Sequence, residues 1–335
     1  MGILDFFRKK EEKREGVTLE ELIKKERLDI FSDSYRNLSG VIVNENKAMT
    51  YMAFFGCVRV ISETIATLPL KTYKDTDDKQ TAREHPVYQL LKTRPNEKMS
   101  AYTLKQITGY HITTWGNAYW YLEFGNDMRL KEIIPLLPDR TSPVLTQSGE
   151  IVYKTIINNK ERWFDSSQIA HFKGPSFDGL VGLSSIRLMK ETLGLGIAAN
   201  EYGARFFGQG THLGGVLESP NKLSDEAYKR LKEDIARNGG ITNSHKIKIL
   251  EEGLQYKKLG LPPGDSQFLE TRKFQTGEIA RFFRVPPHKI GDLEKTSYNS
   301  IESQGIEFLT DTLAPYLTMM EQELNYKVFK NGDVS

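Results

Sequence analysis

The chain has 335 residues, 39% hydrophobic and 27% charged, a composition for folded domains with two or three substructures. Lys and Arg (46) nearly balance Asp and Glu (44), and a net charge of +2 excludes a protein that grips a phosphate backbone over its whole surface. One cysteine excludes an intramolecular disulfide, and no apolar run reaches the roughly 18–20 residues of a membrane-spanning helix.

In chain order, residues 1–45 are rich in charges and turn formers and read as an N-terminal arm, helical around Thr18 to Arg27, that orders against a neighbour. Mixed charge from Arg8 to Glu15 directly after Phe7 does not fit a signal peptide, and Phe6 stands where a myristoylation start needs Ser or Thr. The expectation is a soluble product made in the cytoplasm. The triplet Asn37-Leu38-Ser39 is then a chance match to a glycosylation site. A buried helix is predicted from Thr50 to Thr67, stopped by Leu68-Pro69, with Cys57 as a plain buried thiol in it. Two more helices follow at His85 to Lys92 and Ser100 to Trp115, with Ser100 as a cap.

Strand signals come next: Ala118 to Phe124, Leu130 to Leu137, Glu150 to Ile157, Glu161 to Phe164 and Gln168 to Phe172, separated by Gly, Asn and Asp turns. Residues 46–183 thus form one mixed α and β domain. Ser184 opens a helix reaching Phe207, roughly 35 Å long. Gly194, Gly196 and Gly203 weaken it and imply close approach of a neighbouring helix. Residues 210–264 read as a small α/β insertion. Its strands are Leu213 to Leu217, Lys246 to Leu250 and Leu254 to Leu259, and its helix, Asp225 to Arg237, is capped by Ser224 with Leu223 stapled onto Tyr228. A second long helix, Asp265 to Arg284, ends before Pro286-Pro287. After a polar loop, Ile306, Leu309, Leu313, Leu317, Met320, Leu324 and Val328 make one apolar helical face, bent where Pro315 deprives the Asp311 carbonyl of its partner.

Chemistry is mostly excluded. Gly208-Gln209-Gly210-Thr211-His212-Leu213-Gly214-Gly215 resembles a dinucleotide fingerprint, but its third glycine is late and it follows a helix instead of a strand, so a helix terminator is the better reading. There is no P-loop and no nucleophile elbow, and the six histidines are scattered singly without metal spacing. No cofactor, metal or catalytic residue is expected. The remaining candidate is the polar loop, where Lys289, Lys295, Tyr298 and Asn299 can face a phosphate backbone. In a monomer it is an ordinary loop; in a ring each lysine becomes a circle of charge. A phosphate-handling α/β enzyme using the glycines near Gly208 and a monomeric DNA-binding adaptor stay open as rivals.

These segments, taken in order, resemble the portal proteins of tailed bacteriophages. The resemblance is carried by Cys57-Val58-Arg59-Val60-Ile61-Ser62, His85-Pro86-Val87-Tyr88, Gly116-Asn117-Ala118-Tyr119, Asp178-Gly179-Leu180-Val181-Gly182-Leu183-Ser184, Gly264-Asp265-Ser266-Gln267-Phe268, Ala280-Arg281-Phe282-Phe283-Arg284-Val285-Pro286-Pro287 and Thr312-Leu313-Ala314-Pro315. It implies an α+β, ring-forming protein of about twelve subunits. A wing domain (46–183) would be followed by two stem helices (184–209 and 265–285) flanking a clip (210–264). A tunnel loop (286–299) and a kinked tunnel helix (300–335) complete it, without the usual C-terminal crown. The expected location is the virion, at one capsid vertex, after assembly in the host cytoplasm. Expected partners are further copies of itself, double-stranded viral DNA, the terminase ATPase that supplies the energy, capsid and scaffolding proteins and a head-tail adaptor, with no membrane. The clip surface offered to them would include Tyr228, Arg230, Glu251 and Glu252.

Overall fold

Asn44 starts the first helix by accepting the Lys47 amide on its Oδ1 at 2.9 Å. That helix, α1 (Glu45–Thr50), stops at Tyr51, whose extended backbone (φ −83°, ψ 111°) separates it from α2 (Met52–Thr67). The computed structural model describes residues 17–18, 37–74, 80–146, 148–208, 215–220, 223–237, 253–258, 265–293 and 298–329. Phe54, Cys57, Val58, Ile61 and Ile65 of α2 are buried. Burial pushes the Cys57 thiol up to about 12, so it packs as an inert side chain. Helix α3 (Pro86–Lys92) carries Pro86 in its first turn and His85 as its cap, with Nδ1 accepting the Val87 amide at 3.3 Å. Helix α4 (Ala101–Trp115), capped by Ser100 as expected, lies so close to α2 that a Cβ on Gly109 would sit 2.7 Å from the Ser62 Cα.

Two antiparallel sheets complete this part. The first has β2 (Asn117–Phe124) between β3 (Leu130–Leu136) and β7 (Ile169–Lys173). The second runs β1 (Val17–Thr18), β4 (Thr141–Leu145), β5 (Ile151–Ile157), β6 (Lys160–Asp165). One face of the first sheet puts Ala118, Trp120, Leu122, Ile133, Ala170 and Phe172 into the main core with α2 and α4. Its other face joins Tyr119, Leu136 and Ile169 to Tyr153 of the second sheet. Burial on both faces explains why β2 reads as a continuous aromatic run with no polar alternation.

Strand β4 has no counterpart among the sequence expectations, because Ser142-Pro143 hides its pattern. Pro143 sits beyond the two residues that β1 covers, an edge position that tolerates proline. Val17–Thr18, placed by sequence in an arm helical from Thr18, instead forms a strand on Leu145 and Val144 of the same chain. Residues 19–36 of the expected arm helix lie outside the described residues.

A knot of glycines joins the sheets to the next helices. Gly116 ends α4 in the left-handed region (φ 74°), and its carbonyl accepts the Gly174 amide at 2.8 Å. Asn117 Nδ2 donates to the carbonyls of Trp115 (3.0 Å) and Gly182 (2.8 Å), which fixes its Oδ1 as the acceptor for the Gly182 amide (2.8 Å) and His171 Nε2 (3.0 Å). His171 is therefore neutral with its proton on Nε2, and Nδ1 faces the Tyr153 hydroxyl at 3.3 Å. Burial, aided by the charges of Lys173 and Lys327, holds its proton affinity well below the ordinary histidine range. The Asp178 carboxylate closes the adjoining loop by accepting the Leu180 and Val181 amides at 2.8 and 3.2 Å.

The long helix expected from Ser184 is two pieces, α5 (Ser185–Leu188) and α6 (Lys190–Gly208), because Met189 leaves helical geometry at φ −99°, ψ 15°. Two of its glycines, Gly194 and Gly196, make room for side chains and not for a neighbouring helix. A Cβ on Gly194 would lie 1.2 Å from Asn37 Nδ2, and one on Gly196 would lie 2.7 Å from the Tyr51 ring. Asn37 uses that room to donate to the Lys190 carbonyl at 3.0 Å, while Glu191 accepts the Leu38 amide at 3.0 Å. Gly194→Ala is expected to lift residues 37–41 off α6 at a cost of about 1–3 kcal/mol. Hydrogen exchange checks this: the Leu38 and Val41 amides should lose protection while α2 keeps it.

Beyond α6, β8 (Gly215–Glu218) and β9 (Gln255–Lys258) form an antiparallel pair, and α7 (Asp225–Arg237) starts at Ser224, whose Oγ accepts the Ala227 amide at 3.2 Å. The expected strand at 246–250 lies outside the described residues. Helix α8 (Asp265–Phe282) packs against α2 and α6. Among the described residues no helix is long and apolar enough to cross a membrane.

Candidate nucleic-acid-facing segment

The polar loop is positioned by the way α8 stops. Val285 N–H bonds back to the Ala280 carbonyl (2.9 Å) and Arg284 N–H to the Arg281 carbonyl (3.1 Å), with Arg284 in the left-handed region at φ 52°. This is a Schellman ending with arginine where glycine is usual. Phe283 and Val285 anchor it in the core, and the Phe283 ring meets Phe54 edge-on at 5.5 Å. The chain then makes a 3-10 turn, Pro287–Ile290, closed by Gly291 at φ 89°. Ile290 tucks against Gly56, where a Cβ would approach it to 3.4 Å.

After residues 294–297, which lie outside the described residues, come α9 (Tyr298–Glu307), a π-helical turn at Phe308–Leu313 and α10 (Ala314–Val328). The irregularity expected at Pro315 is therefore a π turn, and Pro315 occupies the tolerant first turn of α10. Two contacts tie the turn to the end of α8: Thr312 Oγ1 donates to the Arg284 carbonyl at 2.6 Å, and Arg284 Nη1 reaches the Asp311 carbonyl at 3.4 Å. The far end of α10 is held on the body. Glu323 Oε1 accepts the His171 amide at the edge of β7 (3.0 Å), and Lys327 Nζ donates to the Ser166 carbonyl (2.5 Å).

The single apolar face expected from Ile306 to Val328 is only partly realised. Leu313, Met320 and Leu324 are buried, but Ile306 and Leu309 are 59% and 50% exposed, and Phe308 is buried in their place. A π turn has one extra residue, so the upstream helix is rotated relative to a continuous α-helix.

Of the four loop residues singled out from sequence, Lys289 alone has a described side chain. It is exposed, with its ammonium 4.9 Å from the centre of the Phe308 ring. Lys295 lies outside the described residues, and Tyr298 and Asn299 open α9 with side chains likewise outside them. On the insertion, Tyr228 (59% exposed) and Arg230 are presented by α7, while Glu251 and Glu252 lie outside the described residues. Sequence reasoning missed Arg284, for which the signal was a helix stop lacking glycine ahead of Pro-Pro. It also missed the pair His288 Nδ1 and Gln304 Oε1, 2.9 Å apart, which joins loop to helix. Arg284, Lys289, Glu302, Glu307 and Asp311 are all exposed on the loop and the helix after it, so these segments carry charges of both signs. Among the described residues no three metal-ligating side chains gather.

This mixed α+β arrangement is the portal-protein fold. It aligns with the crystal structure of an HK97 family phage portal protein from Corynebacterium diphtheriae at a TM-score of 0.62 and 17% identity, over 85% of this chain and 91% of that one. A chain from the neck of a native gene transfer agent particle, computed with C12 symmetry, aligns at 0.58 and 24%, over 84% and 78%. The sequence pattern of the phage portal protein family matches residues 52–335, and the portal protein of Enterobacteria phage HK97 is 31% identical over 300 residues, 87% of this chain and 70% of that protein. The chain belongs to the phage portal protein family. Portal proteins are structural channels, the head-to-tail connectors of DNA packaging, and not enzymes.

Proposed function

We propose that twelve copies of this chain encircle an axis at one capsid vertex of a phage or gene-transfer-agent particle and form the conduit for double-stranded DNA. The observation that carries this is the family match over residues 52–335, joined to a fold shared with a neck component of twelvefold symmetry. In this reading residues 46–183 are the wing, 184–209 and 265–285 the stem, 210–264 the clip, 286–299 the tunnel loop and 300–335 the tunnel helix. The clip, with Tyr228 and Arg230 exposed on α7, meets the terminase during packaging and the head-tail adaptor afterwards, and the wing meets capsid and scaffolding proteins. Energy for translocation comes from the terminase.

The physics of sliding supports the loop assignment. A stiff duplex with one charge per about 1.7 Å sticks to any surface that neutralises many phosphates at once. A few exposed cations among exposed carboxylates give brief, salt-screened contacts instead. Electron micrographs of the purified protein should show rings with a central hole; a particle that stays single at every concentration refutes the conduit. Lys289→Ala with Lys295→Ala is expected to lower DNA packaging about tenfold while rings still form, since each lost phosphate contact weakens transient binding. Normal packaging by that double variant would remove the loop from the channel wall.

A further inference from the structure

The segment after the polar loop carries two apolar patterns. A continuous α-helix would align Ile306, Leu309, Leu313, Leu317, Met320, Leu324 and Val328, since steps of three and four share one side. The structure uses a different pattern. Buried Phe308 and buried Leu313 stand five positions apart, and Ala314 N–H bonds five residues back to the Leu309 carbonyl. Upstream, half-buried Ile301 and Gln304 continue the Phe308 side, leaving Ile306 and Leu309 outside.

Contacts from outside the helix hold the observed pattern, the His288–Gln304 pair among them. Pro315 has no N–H for the Asp311 carbonyl, and the Arg284 guanidinium reaches that carbonyl. The Arg284 carbonyl takes the Thr312 hydroxyl, and Lys289 lies over the Phe308 ring. Arginine accepts a left-handed backbone to do this, where glycine would stop α8 with less strain.

We infer that residues 301–313 have two helical registers, the π register seen here, latched by Arg284, and an α register in which Leu309 and Ile306 replace Phe308 against the core. Passage between them removes one residue's worth of slack. It turns α9 by about 100° and shifts it about 1.5 Å along its axis relative to α10. Helix α10 stays in place, because Met320 and Leu324 are buried and Glu323 and Lys327 hold the body. Lys289 loses the ring beneath it and swings free. That the freed lysine meets DNA rests on the function proposed above; the change of register does not.

Thiol labelling of the full-length chain tests this, since buried Cys57 stays silent in the folded protein. Ile306→Cys and Leu309→Cys, made singly, should react at nearly the rate of an unprotected thiol on the smallest species resolved by size exclusion. Adding Arg284→Gly keeps the helix stop but deletes the guanidinium. It is expected to slow both sites at least threefold as they turn inward, and Arg284→Lys should give an intermediate rate. Unchanged or faster labelling overturns the proposal, and local unfolding would register as faster. The assay asks nothing of rings or DNA, so its failure leaves the conduit standing, and absent rings would leave a positive labelling result standing.

Discussion

Gly116→Ala should destabilise the chain by about 2–5 kcal/mol, from about 1–2 for a left-handed L-residue and about 1–3 for forced overpacking. The added Cβ would lie 2.1 Å from the Leu183 carbonyl oxygen, and the neighbour is backbone, which cannot rotate aside. Moving it would also pull Gly182 from Asn117, and with it the acceptor that fixes His171. Gly149 supplies the control: its φ is +80° with nothing within 4 Å of a Cβ, so Gly149→Ala carries the backbone strain alone. Urea midpoints of the two variants measure the difference. Equal losses would mean that the Gly116–Gly182 contact does not clamp the sheets to α5.

Acid should loosen the same region well above the pH at which carboxylates titrate. Burial lowers His111 to about 4 and holds His171 well below its ordinary value, while the unfolded chain presents both near 6.5. A histidine with a depressed native pKa takes up its proton on unfolding, so stability is full above about pH 6.5 and falls as pH drops towards the native value. His111 alone should remove about 2 kcal/mol between pH 7.5 and 5. His171 adds to this in the same direction, because protonated Nδ1 can no longer accept from Tyr153. Asp178, lowered by its amide and hydroxyl partners against the opposing effect of burial, loses its contribution only below the ordinary carboxylate range, outside this window. Unfolding in urea at pH 7.5, 6 and 5 checks the slope, and His111→Gln should flatten it. A flat profile in the parent chain would show that these rings are not held neutral by the fold.

Local rules made several elements legible without a structure. Ser100 and Ser224 announce helix starts with a short polar side chain, and Asn158-Asn159 marks a hairpin because both residues adopt positive φ. The polar loop was recognisable as a place, since Pro286-Pro287 ends one helix and an apolar face opens the next. Its working parts were not. Arg284 acquires a role only when the Asp311 carbonyl and the Thr312 hydroxyl come round to meet it, and Lys289 only when Phe308 arrives beneath it.

Sequence by itself determined the family, the helices from Met52 to Trp115, the strands β2, β3, β5, β6 and β7, and the burial of Cys57, because capping, periodicity and turn chemistry act within a few residues. Tertiary structure alone decided that Gly194 and Gly196 make room for Asn37 and Tyr51, and that Thr141–Leu145 is a strand. It also decided that Phe308 displaces Leu309 from the core. Those outcomes are competitions between groups distant in the chain, and side chains of nearly equal apolarity leave the winner to packing.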